Sequence, residues 1–320
     1  MIRRLVVTLA IALPAMCIAA EPATTRKEWT RSEDVIYGRK FGMALTMDVF
    51  TPQGRTNGAG VIFCVSGGWV SAHEAIHAGL LEEFLRRGYV VFAVVHGSQP
   101  LFPVNEVVED MHRAVRFIRH HAGRYGLDPD RLGITGGSAG GHLSLMMGMA
   151  GRAADPQAKD PVDRESSRVQ AVACFFPPTD FLNYGRTGRD VFQALREELA
   201  AFRAPFEFRE LDKQTKCFVP ITDEARRMEL ARQISPAAHV SPDDPPTLIV
   251  HGDADKLVPI QQAEIIIGKL KEAGVPARLV VKPGAGHGWP DLVKDISILA
   301  DWFDQYLAGA STTRPAPQGG

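Results

Sequence analysis

Residues 132–142 read Leu-Gly-Ile-Thr-Gly-Gly-Ser-Ala-Gly-Gly-His. A short apolar run is followed by a serine among glycines, and a helical pattern begins directly after it. A Gly-x-Ser-x-Gly pattern between a strand and a helix is typical of a nucleophile elbow, a sharp turn that exposes the serine hydroxyl at the carboxyl edge of a sheet. The alternative is a glycine-rich loop that binds an anion at a helix N-terminus. We favour the elbow, with Ser138 as the candidate nucleophile.

Apolar runs of strand length lie on both sides of this stretch, at 61–65, 89–95, 132–135, 169–175, 247–250 and 277–281. They are continuous rather than alternating, which indicates strands buried on both faces of a parallel sheet. Helical patterns separate them, at 74–87, 106–124, 139–150, 261–273 and 292–307. Two strand-like segments at 34–37 and 45–50 predict an antiparallel hairpin at the start. The order predicts an α/β fold with a mostly parallel, doubly wound sheet.

One interval departs from this alternation. Residues 181–246 separate two predicted strands, although a crossover needs only about a dozen residues. The interval carries six of the 16 phenylalanines of the chain. We interpret about 181–233 as a cap over a pocket; the alternative is an irregular helical excursion that packs its own phenylalanines.

The charge balance excludes one class of function. The chain has 36 Lys and Arg against 37 Asp and Glu, and no long basic run. Nucleic-acid binders carry a basic patch or stripe, so DNA and RNA are not expected partners. No metal-ligand cluster, dinucleotide fingerprint or P-loop is recognisable, so the sequence implies no cofactor.

The first twenty residues have the composition of a secretory signal peptide. Arg3 and Arg4 precede an uncharged apolar run, and small residues follow at Ala19 and Ala20. The run is shorter than the roughly 20 residues of a membrane span. We therefore predict an exported protein, periplasmic or secreted, with no membrane attachment after cleavage of residues 1–20. A linker at 21–32, one domain at 33–307 and a disordered tail at 308–320 complete the predicted organisation; the oligomeric state stays open.

Three cysteines remain after the predicted cleavage, Cys64, Cys174 and Cys217. An odd number permits at most one internal disulfide, and the sequence does not say which pair would form it. We therefore do not expect cysteine to hold this fold together.

Two further loops supply a base and an orienting carboxylate. The predicted strand at 247–250 leads into His-Gly-Asp-Ala-Asp, with candidate acids Asp253 and Asp255, and the last strand leads into Gly-His287-Gly. The order Ser, Asp, His is that of α/β-hydrolases. All three loops follow the carboxyl ends of strands, where open α/β sheets place their sites. Asp180, after the strand at 169–175, is a third candidate acid, although we favour a helix N-cap there.

The run Val65-Ser-Gly-Gly-Trp69 follows the first parallel strand. With the elbow, the 234–252 segment, the Asp255 loop and His287, it makes the chain resemble the α/β-hydrolase superfamily. Within that superfamily it is similar to hormone-sensitive-lipase-like and feruloyl-esterase-like (BD-FAE-type) carboxylesterases, over roughly residues 33–307.

The resemblance implies a serine esterase that cleaves short-chain, aryl or carbohydrate-linked carboxylic esters through Ser138, Asp255 and His287. It also implies an oxyanion hole from the amides of Gly67, Gly68 and Ala139. We call residues 65–70 the strap. These esterases usually have His-Gly where this chain has Val65-Ser66, so the strap lacks the histidine that orders it in the family. Ser66 and Trp69 then become candidate pocket residues.

Two alternatives stay open. An exopeptidase similar to prolyl oligopeptidases shares the carboxylate position three residues after the glycine, here Asp255. A binding protein on the same fold would need no catalysis, and a fluorophosphonate probe on Ser138 separates it from an enzyme.

Overall fold

The computed structural model describes residues 28–307. Its strands are, in chain order, β1 (Trp29–Lys40), β2 (Met43–Pro52), β3 (Gly60–Val65), β4 (Val90–Val95), β5 (Leu132–Thr135), β6 (Ala171–Phe175), β7 (Arg209–Leu211), β8 (Phe218–Pro220), β9 (Thr247–Gly252) and β10 (Ala277–Lys282). Eight of these form one sheet in the order β1-β2-β4-β3-β5-β6-β9-β10. The β1–β2 and β2–β4 pairs are antiparallel and the other pairs are parallel.

The helices cover both faces of this sheet. They are α1 (Glu82–Arg86), α2 (Val104–His120), α3 (Ala139–Met149), α4 (Val191–Glu197), α5 (Glu224–Gln233), α6 (Gln261–Glu272) and α7 (Leu292–Leu307). In β4, the side chains of Val90, Phe92 and Val94 join the core that contains α2, α3 and α6. Val91 and Ala93 join the opposite core with α1 and α7. The inner parallel strands are thus buried on both faces, which confirms the α/β prediction. The edge strand β10 is an exception to the expected burial, because it is only half-buried and Val281 is exposed.

The fit to the predicted elements varies along the chain. The stripe of Val107, Met111, Val115 and Ile118 is fully buried along α2, as expected from its spacing. The single helix expected at 74–87 is wrong. Extended backbone at Ile76 and beyond splits this segment into two short 3-10 turns, and only α1 is an α-helix.

The domain begins earlier in the chain than predicted. Residues 29–32, assigned to a linker, belong instead to β1, where Trp29 pairs with Pro52. The predicted signal peptide and tail lie outside the described residues. Within residues 28–307, no helix has the length and apolar character needed to cross a bilayer, and Cys64, Cys174 and Cys217 are free thiols.

The interval between β6 and β9 contains α4, two 3-10 turns at Ala200–Phe202 and Ala204–Phe206, the β7–β8 hairpin and α5. Apolar residues of this segment, among them Phe206 and Phe208, join the core on the α2 and α3 side. We call residues 181–233 the cap.

Candidate active site

The turn between β5 and α3 has the geometry of the expected elbow. Ser138 precedes the first residue of α3 and has φ of 53° and ψ of −118°. A Cβ atom at Gly136 would lie 2.6 Å from the carbonyl carbon of Gly140, so the turn closes only with glycine there. The positive φ of Ser138 is rare for a residue with a side chain, and such backbone often occurs at functional turns. The Ser138 side chain is partly exposed.

Three side chains form a continuous hydrogen-bonded chain. The Ser138 Oγ lies 2.9 Å from Nε2 of His287, and Nδ1 of His287 lies 2.7 Å from Oδ2 of Asp255. An ionised carboxylate only accepts, so Nδ1 carries the ring proton and Nε2 is left as the acceptor for the Ser138 hydroxyl. This tautomer is the one that general-base chemistry at Ser138 requires.

The Asp255 carboxylate is fixed from the other side as well. Its Oδ1 accepts the backbone N–H groups of Leu257 and Val258 at 2.9 and 3.0 Å, and Nε2 of the buried His251 lies 3.4 Å from Oδ2. Burial opposes ionisation, but the bonds from His251 and His287 and the N–H donor of Val258 outweigh it and hold the pKa of Asp255 well below its usual range. These contacts therefore favour the ionised form of Asp255.

Close approach of two loops brings His287 to Asp255. The Ala254 N–H donates to the Ala285 carbonyl at 3.0 Å, and a Cβ atom at Gly252 would lie 2.2 Å from that carbonyl oxygen. Only glycine at 252 allows this contact. Asp253 points elsewhere: it is exposed and its Oδ1 accepts the Gly284 N–H at 2.6 Å.

Asp180 is also not part of the hydrogen-bonded series of Ser138, His287 and Asp255. Its Oδ1 accepts the N–H groups of Leu182 and Asn183, so it closes a turn. The expected helix N-cap role is wrong, because no helix begins there; Asp190 caps α4 instead.

The strap after β3 offers one of its two predicted glycine donors. The Gly67 N–H is already donated to the Val70 carbonyl at 3.0 Å, so its predicted place in an oxyanion hole is wrong for this geometry. Among the described residues, no protein acceptor forms a hydrogen bond with the N–H groups of Gly68 and Ala139. Gly68 lines the same pocket as Ser138, and Ala139 is the next residue in the chain.

That pocket lies between the elbow and the cap, and its volume is about 30 Å³. Most of its lining is apolar and comes from the strap and the cap. The residues that close it over Ser138 are Trp69, Phe181, Leu195, Leu199, Phe202 and Phe206. Three of the six phenylalanines noted in the sequence therefore lie against the pocket.

The two candidate pocket residues differ in position. Trp69 is buried, lines the pocket and donates its Nε1–H to Nδ1 of His142 at 3.2 Å. Ser66 is not among the residues that line this pocket. Its Oγ lies 2.8 Å from Nε2 of His96, which follows β4.

Three residues that contact the strap, Asp255 or His287 were not predicted from the sequence. His96 contacts the strap, His251 contacts Asp255, and the ring of Phe176 lies 4.5 Å from that of His287. All three follow or end a strand at the carboxyl edge. The rule that located Ser138 and His287 would therefore have located them too.

A larger groove of about 880 Å³ lies between the β1–β2 turn and the β7–β8 hairpin. Its lining does not include Ser138, His287 or Asp255. Most of its charged side chains form ion pairs, as Lys40 does with Asp110 and Arg209 with Glu106, each at 3.0 Å.

Three possible metal ligands, Glu33, Asp48 and His73, also lie close together in the described part of the chain. Arg31 lies among them, with its NH2 group 3.1 Å from Nε2 of His73 and its Nε 2.6 Å from Asp48. An arginine only donates, so the neutral ring of His73 has its proton on Nδ1, the nitrogen that would have to bind the metal. The cluster is better explained as an ion-pair network.

A family model described as BD-FAE matches residues 47–270, more than half of the chain. This chain belongs to the BD-FAE family. The matched span contains the elbow, the strap and Asp255, and it ends before His287.

Relatives of this BD-FAE chain carry esterase names. A probable carboxylic ester hydrolase, LipM, of Mycobacterium tuberculosis is 28% identical over 77% of this chain and 53% of its own length. Esterase LipC of the same organism is 26% identical over 72% of this chain and 52% of its own. The chain thus spans about half the length of the curated relatives it matches.

Solved structures share the α/β-hydrolase fold. A truncated carbohydrate esterase from gut microbiota superposes with a TM-score of 0.68 at 24% identity, over 88% of this chain and 98% of the other. A Thermogutta terrifontis esterase with propionate bound superposes with a TM-score of 0.65 at 25% identity, over 87% and 94% of the two chains.

Proposed function

We propose that this protein hydrolyses carboxylic esters through an acyl-enzyme on Ser138. The observation that carries the proposal is the hydrogen-bonded chain from Ser138 through His287 to Asp255, at 2.9 and 2.7 Å. Family membership and the esterase names of the relatives support the reaction class.

In the proposed reaction, the Ser138 Oγ attacks the ester carbonyl carbon while its proton passes to Nε2 of His287. Asp255 stabilises the imidazolium that forms, and the N–H groups of Gly68 and Ala139 bind the oxyanion. Collapse breaks the bond to the alcohol, which leaves with the proton from His287. A water molecule, deprotonated by His287, then releases the carboxylic acid and restores Ser138.

The proposed substrates carry short acyl groups. A pocket of about 30 Å³ has room for a few atoms, and its lining offers apolar contacts rather than hydrogen bonds. The propionate-bound esterase structure, at 25% identity, is consistent with this size. The alcohol side, whether simple, aryl or carbohydrate, stays a proposal based on family resemblance. Export by a signal peptide and a site that needs no cofactor also stay proposals, and they rest on the sequence pattern.

Two measurements test the reaction. A fluorophosphonate probe should label the wild-type protein and fail to label Ser138→Ala. Rates on p-nitrophenyl esters from C2 to C12, acetylated xylan, feruloyl sugars and aminoacyl anilides should favour short acyl esters. Absence of labelling together with absence of ester turnover would refute the esterase proposal, and faster cleavage of aminoacyl anilides would favour an exopeptidase.

A further inference from the structure

The residue before the two strap glycines is held by a buried histidine from the neighbouring strand. His96 is 3% exposed, and its Nδ1 lies 2.6 Å from the carbonyl oxygen of Gly97. A carbonyl oxygen only accepts, so Nδ1 carries the ring proton. Nε2 must therefore accept, and the Ser66 hydroxyl, 2.8 Å away, donates to it.

The strap itself is a tight four-residue turn. Gly67 and Val70 exchange both backbone hydrogen bonds, at 3.0 and 2.9 Å. The two central residues, Gly68 and Trp69, have φ values of 57° and 60°, as in a type I′ turn. Positive φ at a tryptophan is unfavourable unless the surroundings hold it, so this turn depends on contacts at both of its ends.

The loop after β4 provides those contacts. On the far side of the turn, Ser98 Oγ accepts the Ser71 N–H and donates to the Ser71 carbonyl, both at 2.7 Å. The Gln99 N–H donates to the Trp69 carbonyl at 3.2 Å. On the side of the turn that precedes Gly67, the loop after β4 contacts the strap through the bond between His96 and Ser66.

We propose that His96 and Ser66 are positioning residues that hold the strap, and with it the Gly68 N–H, in place for the oxyanion that forms at Ser138. This inference rests on the proposed esterase function. Removing one oxyanion donor costs about 10²- to 10³-fold in kcat. Loosening a donor without deleting it should cost less, roughly 10- to 100-fold.

The pair is unsuited to act as a second nucleophile and base. The Nδ1–H of His96 meets a neutral carbonyl, so no carboxylate holds this ring as Asp255 holds His287. Burial, opposed by that carbonyl bond and aided by the nearby Lys40 charge, lowers the pKa of His96 to about 4. At neutral pH the ring is an acceptor that resists protonation.

The test compares Ser66→Ala, His96→Leu and His96→Gln with wild type on p-nitrophenyl acetate. The first two should lower kcat by roughly 10- to 100-fold with KM nearly unchanged, since the strap contacts the oxyanion and not the ground-state ester. Glutamine can accept from Ser66 through its side-chain oxygen, so His96→Gln should restore most of the rate. The double variant Ser66→Ala/His96→Leu should be no worse than the poorer single variant.

A second readout isolates the oxyanion. A trifluoromethyl ketone adds to the serine as a charged hemiketal, so its Ki should rise by the same factor by which kcat/KM falls. Ser167→Ala is a matched control, because Ser167 is bonded to the buried His112 at 2.8 Å. It removes an equivalent hydroxyl, and both rate and Ki should stay at wild-type values.

The outcomes separate the two proposals. If wild type neither turns over esters nor reacts with the fluorophosphonate probe, the esterase proposal and this one both fail. If wild type is active and Ser66→Ala keeps its kcat and Ki, only the positioning role is overturned. Probe labelling of Ser66 in Ser138→Ala would overturn it in favour of a second nucleophile. Ser66→Ala loses a single oxygen, so it decides the question even if His96→Leu fails to fold.

Discussion

Three serine–histidine pairs within residues 28–307 have nearly the same bond length and different surroundings. Ser138–His287 measures 2.9 Å, while Ser66–His96 and Ser167–His112 both measure 2.8 Å. The His287 side chain is 22% exposed and backed by a carboxylate, whereas His96 and His112 are almost fully buried. A short bond to an imidazole therefore does not by itself define a nucleophile.

What distinguishes the pairs is the surroundings of the histidine ring. Asp255 stabilises a charged His287 at 2.7 Å. Burial lowers the pKa of His96 to about 4 and that of His112 to about 3, the latter aided by the nearby Arg152 charge. A base must accept the serine proton at neutral pH, and only the first pair combines a counter-charge with access to a pocket.

The largest contrast is expected on removing the hydroxyls. Ser138→Ala should lower kcat roughly a millionfold, the order found when a serine-hydrolase nucleophile is deleted. The fold should persist, because this partly exposed hydroxyl adds little packing. The measurement is ester turnover with circular dichroism as the fold check. Turnover within tenfold of wild type would remove Ser138 from the mechanism.

The next largest effect concerns the counter-charge. Asp255→Asn should lower turnover about 10⁴-fold, the loss known for a triad aspartate made an amide, because the amide favours the wrong tautomer of His287. Asp253→Asn and Asp180→Asn are the controls and should change turnover by no more than a few-fold, since neither contacts the ring. A larger loss in Asp253→Asn than in Asp255→Asn would reverse the assignment.

The sequence predicted that Ser138 and His287 lie at the carboxyl edge of the sheet, because each follows a strand in a glycine-rich loop, and the two side chains do meet there. The loop pattern alone did not separate Asp253 from Asp255, which lie two residues apart, and only the family resemblance favoured Asp255. Their difference depends on the approach of the 285–287 loop to Gly252, a long-range contact that no local pattern encodes.

The strap also shows a feature of the site that could not be predicted from the sequence. The glycines of the strap are visible in the sequence, but whether each N–H is free depends on the turn they form. The bond from Gly67 to Val70 uses one donor, and the contact between Ser66 and His96 joins residues thirty positions apart. The helix expected at 74–87 is also interrupted by a feature that the local pattern does not show, the extended backbone at Ile76 and His77.

The pocket beside the first pair gives a smaller, graded prediction. The Phe202 side chain lines the pocket and lies within 3.2 Å of where a Cβ atom at Gly68 would be. Phe202→Ala should open this end and raise the C6-to-C2 ratio of kcat/KM by roughly 10-fold, in the range that a few apolar contacts provide. Phe192→Ala, in the cap but not in the pocket lining, is the control. A wild-type preference for C8 or longer esters would contradict the short-acyl proposal.

The smallest expected effect concerns the Ser167–His112 pair. It is a difference in how the free energy of unfolding depends on pH. The folded pKa of His112, about 3, lies below the roughly 6.5 of an unfolded histidine. Between these values the unfolded chain binds more protons, so the free energy of unfolding rises with pH. His112→Gln removes one such group. From pH 7 to pH 5 its free energy of unfolding should fall less than that of wild type, by about 2 kcal/mol.

Urea unfolding at pH 7, 6 and 5 measures this difference. Ser167→Ala serves as the control, because it keeps the titrating ring. It should lower the free energy of unfolding by about 1–3 kcal/mol at neutral pH, as an unsatisfied buried group does, while its pH slope follows wild type. Parallel curves for wild type and His112→Gln would show that the buried ring takes up its proton as easily as an exposed one. The distinction drawn between the buried pairs and Ser138–His287 would then rest on the carboxylate alone.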